Sequence, residues 1–352
     1  MRPFSDSLHP VPDAFDDGRL TTVPNRTSSL AAARPRTPRT PRTGLRTGLL
    51  AGPAPILISA VLWGTTGTAG ALAPAGAPAA AIGCAGLTLG GLLLHLTSRA
   101  ARALPAVCTR RERWLLLLGA LAVAGYPVTF YPATARTGVA VATVIALGSA
   151  PVFVGLLSWA LGHSRPTTRW TCATAAAVLG CVLLVLGPEF GGSAEPVDLT
   201  GVLLAACGGL SYAVYSLIGG RLIADGHPSD AVMGVLFGAA GVLVLPVVVG
   251  TDTRWLTEAW GAGVALYLAL FTVCLAYRLF GHGLRGTPAS VATTLTLAEP
   301  AVAAVLGVAV LGERLPVVSW GGLVVLGVGL GVLTVRAGGR GDTREASGRM
   351  EP

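Results

Sequence analysis

Polar residues in this chain are confined to short intervals, and between them lie ten apolar runs, at roughly 55–73, 78–97, 114–134, 138–161, 168–187, 199–220, 230–250, 260–284, 287–311 and 316–336. Each run is about twenty residues or slightly longer, and at a rise of about 1.5 Å per residue that length crosses a hydrocarbon core of about 30 Å. The pattern predicts an all-α integral membrane protein of ten spanning helices. Connections are short and leave no room for a soluble domain between spans. Residues 1–50 break the pattern: a mildly acidic patch (Asp13, Asp16, Asp17) leads into RPRTPRTPRT, which has nothing apolar to bury. This segment is expected to be a disordered cytoplasmic tail, and residues 337–352 a second one. The first run ends in Ala-Leu-Ala like a secretory cleavage site. It starts far too deep, is too long for a signal core and is followed directly by Pro74, so it reads as a spanning helix.

Composition agrees with the pattern. Of 352 residues 52% are hydrophobic and only 12% charged, and the mean hydropathy is +0.67; a water-soluble domain carries about twice that charge. Every basic residue is arginine, and the arginines set the orientation. With the N-terminus inside, the cytoplasmic side receives the tail, the cluster from Arg99 to Arg113, Arg165, Arg169, Arg221, Arg285 and the arginines from Arg336 to Arg349. The outer side keeps Arg136, Arg254 and Arg314 and the acidic loop with Glu189, Glu195 and Asp198. This asymmetry predicts a multi-pass protein of the cell membrane, plasma or inner, with both termini cytoplasmic. No aromatic residue interleaves with the arginines of the tail, so it reads as an arm drawn to anionic lipid headgroups, with no nucleic acid as partner.

The six cysteines (Cys84, Cys108, Cys172, Cys181, Cys207, Cys274) form no C-x-x-C pair and show no clustering with the five histidines in the sequence. They read as small packing residues, and neither a metal nor another cofactor is expected.

A self-comparison at a spacing of about 149 residues aligns Arg136 with Arg285, Ala140 with Ala289 and Pro151 with Pro300. After a one-residue slip it aligns Gly162 with Gly312, Pro166 with Pro316 and Trp170 with Trp320. Two repeats follow, 51–188 and 199–336, each with five spans. Because five is odd, the second enters the membrane from the opposite side. Inverted repeats of this kind build alternating-access carriers with a site near mid-membrane, although a duplicated scaffold without transport would look the same.

Four stretches carry a resemblance to a known family: Leu62-Trp63-Gly64, ALYLALFTVCLAYRLF in the eighth run, LAEPAVAAVLGVAVLGERLP in the ninth, and the closing WGGLVVLGVGLGVL. Over residues 51–336 the chain resembles a ten-helix member of the drug/metabolite transporter superfamily with two EamA-type domains. The second half matches better than the first, which has LGHSRP for LGERLP and Ala150-Pro151 for Glu299-Pro300. The resemblance implies a secondary carrier, often an exporter, of small metabolites such as amino acids or related compounds.

Candidate chemistry centres on Glu299, the single acid of the ninth run. An ionised carboxylate at mid-membrane is costly, so it must be paired, hydrated by a cavity, or protonated. On the eighth run Tyr267, Phe271, Cys274, Arg278 and His282 fall on one stripe at steps of three or four. Counted from the cytoplasmic ends of their runs, Arg278 lies about 10 Å deep and Glu299 about 18 Å. In one reading they share a cavity, Arg278 attracting an anionic group of the substrate and Glu299 holding an ammonium group or a coupling proton. In the other, Arg278 snorkels to the surface and Glu299 is a protonated residue at a kink. Trp63, Thr66, Tyr126, Ser211, Tyr212, Tyr215 and Thr296 complete the candidate substrate-binding set. Their aromatic faces and hydroxyls suit an amphipathic solute, and equally suit helix packing. Pro151 and Pro300 interrupt equivalent helices and are candidate hinges.

The expected partners are membrane lipid, a small-molecule substrate and coupling protons, in a monomer or homodimer. A membrane-embedded enzyme is disfavoured, since the chain has no H-E-x-x-H, no G-x-S-x-G and one mid-membrane acid. The alternatives are an uncoupled facilitator or flippase of the same fold, and a scaffold without transport.

Overall fold

Every one of the ten apolar runs is helical in the computed structural model, which describes residues 52–74, 76–162, 166–187, 198–312 and 314–334 and contains no strand among them. Both expected tails, His163, Arg165, Glu189, Glu195 and Glu313 lie outside the described residues. Helix α1 (Pro53–Ala71) starts on prolines, whose missing N–H costs nothing in a first turn. Helix α2 (Ala79–Thr97) leads into a short amphipathic helix α3 (Arg99–Val107), capped by the Ser98 hydroxyl, which accepts from the Ala101 amide. The longest helical run, α4 (Arg110–Ala160), has 51 residues, about 76 Å if straight and too long for one pass. It breaks at Gly138, whose φ of 81° and ψ of 157° are non-helical, a backbone shape that glycine reaches without strain. The two limbs fold back against one neighbour: a Cβ on Gly208 would lie 3.4 Å from Thr129 of the first limb and 3.9 Å from Ala146 of the second.

Helices α5 (Thr168–Leu186), α6 (Leu199–Ala224) and α7 (Ser229–Gly250) follow. Asp198 caps α6 by accepting from the Thr200 amide at 2.8 Å, and its carboxylate pairs with Arg136 at 3.1 Å. The other end of α6 closes with Gly226 at φ 102°, the His227 amide donating to the Leu222 carbonyl and the Gly226 amide to that of Ile223. This is the Schellman pattern, which satisfies carbonyls the helix leaves free. Helix α8 (Ala259–Leu284) passes through a π-helical segment, Leu268–Leu275. The ninth run is two helices, α9 (Ala289–Leu295) and α10 (Ala298–Leu311), separated at Thr296 and Leu297, and α11 (Val317–Thr334) ends the described chain.

Eight of these helices are long and apolar enough to cross a membrane, the two-limbed α4 and the α9–α10 run each counting as one. Helix α1 has a spanning length of 19 residues, but glycine and threonine in its GTTGTAGA half replace aliphatic side chains. The inner helices α1, α2, α4, α6, α7, α8 and α10 surround a central cavity. Helices α5 and α11 form a closely packed pair beside them: a Cβ on Gly180 would come within 2.3 Å of the Leu326 amide, and one on Gly322 within 2.4 Å of the Leu184 amide. Such small-residue crossings let backbones approach where lipid removes any hydrophobic drive for association.

The two proline hinges expected from the repeat differ from one another. In α4 the backbone stays helical through Pro151, and its non-helical point is Gly138. In the second repeat the break falls at Thr296 and Leu297, one turn before Pro300, at the carbonyl that a residue with an N–H would have bonded, and Pro300 then occupies the first turn of α10. Pro151 is therefore not at a break, and Pro300 follows one.

Candidate functional site

Two adjoining chambers, of about 240 and 490 Å³, occupy the centre of the bundle and share Trp63, Thr66, Phe130, Tyr131 and Glu299 in their walls. The first is lined further by Tyr126, Tyr212, Tyr215, Phe237, Thr272 and Tyr277. The second runs past Gly70, Ala77, Thr134 and Val139, residues at the end of α1, the start of α2 and the turn around Gly138. The cavity thus extends toward that end of the bundle. Away from it the first chamber is floored by aromatic rings: Tyr277 lies 3.7 Å from Phe237 and 4.8 Å from Trp63 between centroids, and Trp63 lies 5.5 Å from Phe280.

Glu299 reaches both chambers because of where α10 starts. The break at Thr296–Leu297 puts it in the first turn of α10, where the positive end of the helix dipole favours a carboxylate. Among the described residues no side chain pairs with or hydrogen-bonds this carboxylate, and every ion pair formed lies at helix ends: Arg136 with Asp198, Arg221 with Asp225, His227 with Glu112 and Arg254 with Asp252. Gly64, of the Leu-Trp-Gly stretch, lets α1 approach this turn. A Cβ there would lie 2.6 Å from Val302 and 2.9 Å from the Glu299 carbonyl oxygen.

The π-helical segment of α8 supplies the opposite wall. A π-turn leaves a backbone carbonyl out of the α-helical ladder, and the Trp63 indole N–H donates to that of Thr272 at 2.8 Å. Tyr212 donates to the Thr296 hydroxyl at 2.7 Å, and Thr296 to the Thr293 carbonyl at 2.9 Å. The hydroxyls of Tyr215 and Tyr277 lie 3.4 Å apart. Tyr126 stacks on Phe130 with centroids 5.3 Å apart.

Of the residues expected from the sequence, Trp63, Thr66, Tyr126, Tyr212, Tyr215 and Glu299 line the first chamber, and Pro300 lines the second. Thr296 stands one step behind the wall, holding Tyr212. Ser211 lies against Gly125 of α4, its hydroxyl 3.1 Å from where a Cβ would be, and does not line either chamber. Arg278 does not share the cavity with Glu299. Its guanidinium donates to the Thr97 hydroxyl at the end of α2, the snorkelling placement, and among the described residues no cation lines the chamber walls.

Other wall residues went unforeseen. Tyr277 is the neighbour of Arg278 and faces the cavity in its place, because a π-turn winds through a smaller angle per residue than a spacing rule of three or four assumes. Tyr131 is admitted by Gly83, where a Cβ would overlap its hydroxyl. Neither has a signal in a single sequence beyond being an aromatic residue in an apolar run.

Comparison with known proteins agrees with this architecture. The sequence profile of the EamA-like transporter family matches residues 50–186 and again 199–335. The chain is 40% identical over 281 residues to the uncharacterized transporter YwfM of Bacillus subtilis, covering 79% of this chain and 92% of that protein. It is 30% identical over 232 residues to the threonine/homoserine exporter RhtA of Escherichia coli K12, covering 64% of this chain and 74% of that protein. One solved crystal structure superposes with a TM-score of 0.64 at 20% identity, over 81% of this chain and 98% of its own, a likeness of fold. With the family profile spanning both halves of a multi-helix membrane bundle, this chain belongs to the EamA-like transporter family and is a membrane transporter rather than an enzyme.

Proposed function

We propose that this transporter is a secondary active exporter of small amphipathic metabolites of the amino-acid or amine type, working by alternating access around the Glu299 cavity. The observation that carries this reading is a lone carboxylate facing a chamber walled by aromatic faces and hydroxyls. That set suits a solute with an ammonium group and a compact apolar part: the carboxylate meets the charge, and Trp63, Tyr126 and Tyr277 offer ring faces to the cation and its carbon skeleton. Without a wall cation, an anionic group on the substrate is met by hydroxyls. The name of the relative RhtA supports a substrate of this class and the outward direction.

The positive-inside asymmetry supports cytoplasmic termini in the cell membrane. With that orientation the cavity reaches the outer face and the aromatic floor closes the cytoplasmic one, an outward-facing state. Two five-span repeats of opposite sense, 51–188 and 199–336, would then exchange this state for its inward-facing counterpart. Glu299 serves as the coupling group, binding a proton from outside and releasing it inside as substrate takes its place.

The test is efflux from proteoliposomes loaded with threonine, homoserine or small aliphatic amines, with and without an inward proton gradient. Gradient-driven efflux of one of these solutes is the expected result. Efflux indifferent to the gradient would move the assignment to a facilitator. A flippase reading draws on the apolar groove of about 470 Å³ between α1, α8 and α10, lined by Thr68, Leu72, Trp260, Val264 and Leu306. Movement of a fluorescent phospholipid without movement of any of these solutes would favour it.

A further inference from the structure

At the end of the bundle opposite the one the cavity reaches, three side chains with different ligating atoms converge. Cys108 comes from the elbow between α3 and α4, Glu112 from the first turn of α4, and His227 from the turn between α6 and α7. Their sulfur, carboxylate oxygen and ring nitrogen all lie within 4.8 Å of one another, and His227 Nε2 is 3.0 Å from Glu112 Oε1. We infer that Cys108, Glu112 and His227 form a binding site for one thiophilic divalent cation of the Zn²⁺ type, tying the first repeat to the second.

The chemistry of the donors fits. Thiolate, imidazole and carboxylate are the three protein ligands zinc uses, and three of them with one open position for water is a common arrangement. Around a tetrahedral zinc the ligand atoms sit roughly 3.3–3.6 Å apart, so a cation draws the sulfur in by about an ångström, within reach of a side-chain torsion.

Each ligand is also held by its own backbone device, independent of a cation. Thr109 and Glu112 form a capping box: the Thr109 amide and hydroxyl donate to Glu112 Oε2 at 2.7 and 2.8 Å. Those bonds occupy the outer oxygen and leave Oε1 facing His227, which is how a second shell orients a ligating carboxylate. The Schellman turn fixes the backbone of His227, and the Cys108 carbonyl is held by Arg113 Nε at 3.1 Å. Cys108 is 4% exposed, whereas the side chains of Glu112 and His227 are 21% and 18% exposed, leaving a route for a cation from solvent. A His–Glu ion pair would account for two of these residues. It gives no reason for a third, thiol-bearing residue to converge on the same point.

The test uses the full chain in detergent with the exposed Cys172 and Cys207 changed to serine, titrated with Co²⁺. Expected is saturable one-to-one binding with a near-ultraviolet thiolate-to-cobalt band that Zn²⁺ bleaches. Cys108→Ser should abolish the band, and His227→Gln should weaken Zn²⁺ binding by more than the roughly 10–100-fold that loss of an outer-shell partner costs. Zn²⁺ should raise the melting temperature of the parent protein with concentration. Cobalt binding without a thiolate band, or wild-type affinity in either variant, overturns the assignment. If Cys108→Ser does not fold, the parent spectrum and His227→Gln decide it.

Discussion

The indole N–H of Trp63 donates to the main-chain carbonyl of Thr272 across 2.8 Å, joining the opening helix of the first repeat to the π-helical segment in the second. Both residues line the chamber that Glu299 faces, so the bond ties the geometry of the wall to the register of α8. Replacing Trp63 with Phe keeps an aromatic ring beside Tyr277 and Phe280 and removes the donor. Losing the donor leaves the buried Thr272 carbonyl unpaired, at a cost of about 1–3 kcal/mol, so the variant should fold with a lowered melting temperature. Its substrate affinity should fall more than its stability, because the wall loses its tie to α8. Solute-induced thermal shifts on wild type and W63F measure both, and unchanged affinity would separate this bond from binding.

Glu299 is the carboxylate in the chamber wall and lacks a protein partner among the described residues. Changing it to Gln keeps the size and removes both the charge and the exchangeable proton. Gradient-driven efflux should drop by at least about tenfold, equivalent to roughly 1.4 kcal/mol, and solute exchange at equal pH should lose its pH dependence. Efflux that remains intact and still responds to pH would remove Glu299 from coupling.

How far the sequence could be read depended on whether each feature is local. The helices are local: apolar runs of spanning length and the arginines between them are written along the chain, and the repeat shows in matched positions such as Pro151 and Pro300. Trp63, Tyr212 and Tyr215, aromatic residues on regular helices, were legible for the same reason. Arg278 was not, since its face depends on a π-segment that α-helical counting does not see. The break at Thr296 falls one turn before Pro300, at the carbonyl to which a proline has no N–H to donate. Cys108 and His227 lie more than a hundred positions apart, and only the packing of α4 against α7 and the α6–α7 turn brings them together.

Helices α5 and α11 offer a test of packing away from the cavity. A methyl on Gly180 would meet backbone on the partner helix, at 2.3 Å from the Leu326 amide and 2.8 Å from the Gly322 carbonyl, and backbone cannot swing aside as a side chain can. Gly180→Ala should therefore force the pair apart and cost about 1–3 kcal/mol. Gly327, on α11, has nothing within 4 Å of its would-be Cβ, so Gly327→Ala should leave stability unchanged or slightly higher. Melting temperatures of the two variants in one detergent make the comparison, and equal behaviour would mean the pair tolerates separation.

The loop end near Gly138 carries a pH-sensitive clamp outside the lipid. The Arg136 guanidinium holds the Asp198 carboxyl below its ordinary range, helped by the Thr200 amide, while partial burial opposes them and the Gly201 amide adds a weaker contribution. A carboxyl whose pKa is lower folded than unfolded contributes stability above its unfolded value, and that contribution is lost as pH falls through the folded one. At neutral pH, then, Asp198→Asn, which keeps an oxygen for the cap but drops the charge, should lower the melting temperature slightly, the pair being half exposed and screened. As the medium is acidified below the usual aspartate range the wild-type protein loses the same contribution, and the two melting curves should converge. A gap between them that persists at low pH would show that the asparagine disturbs the α6 cap itself, not the ion pair.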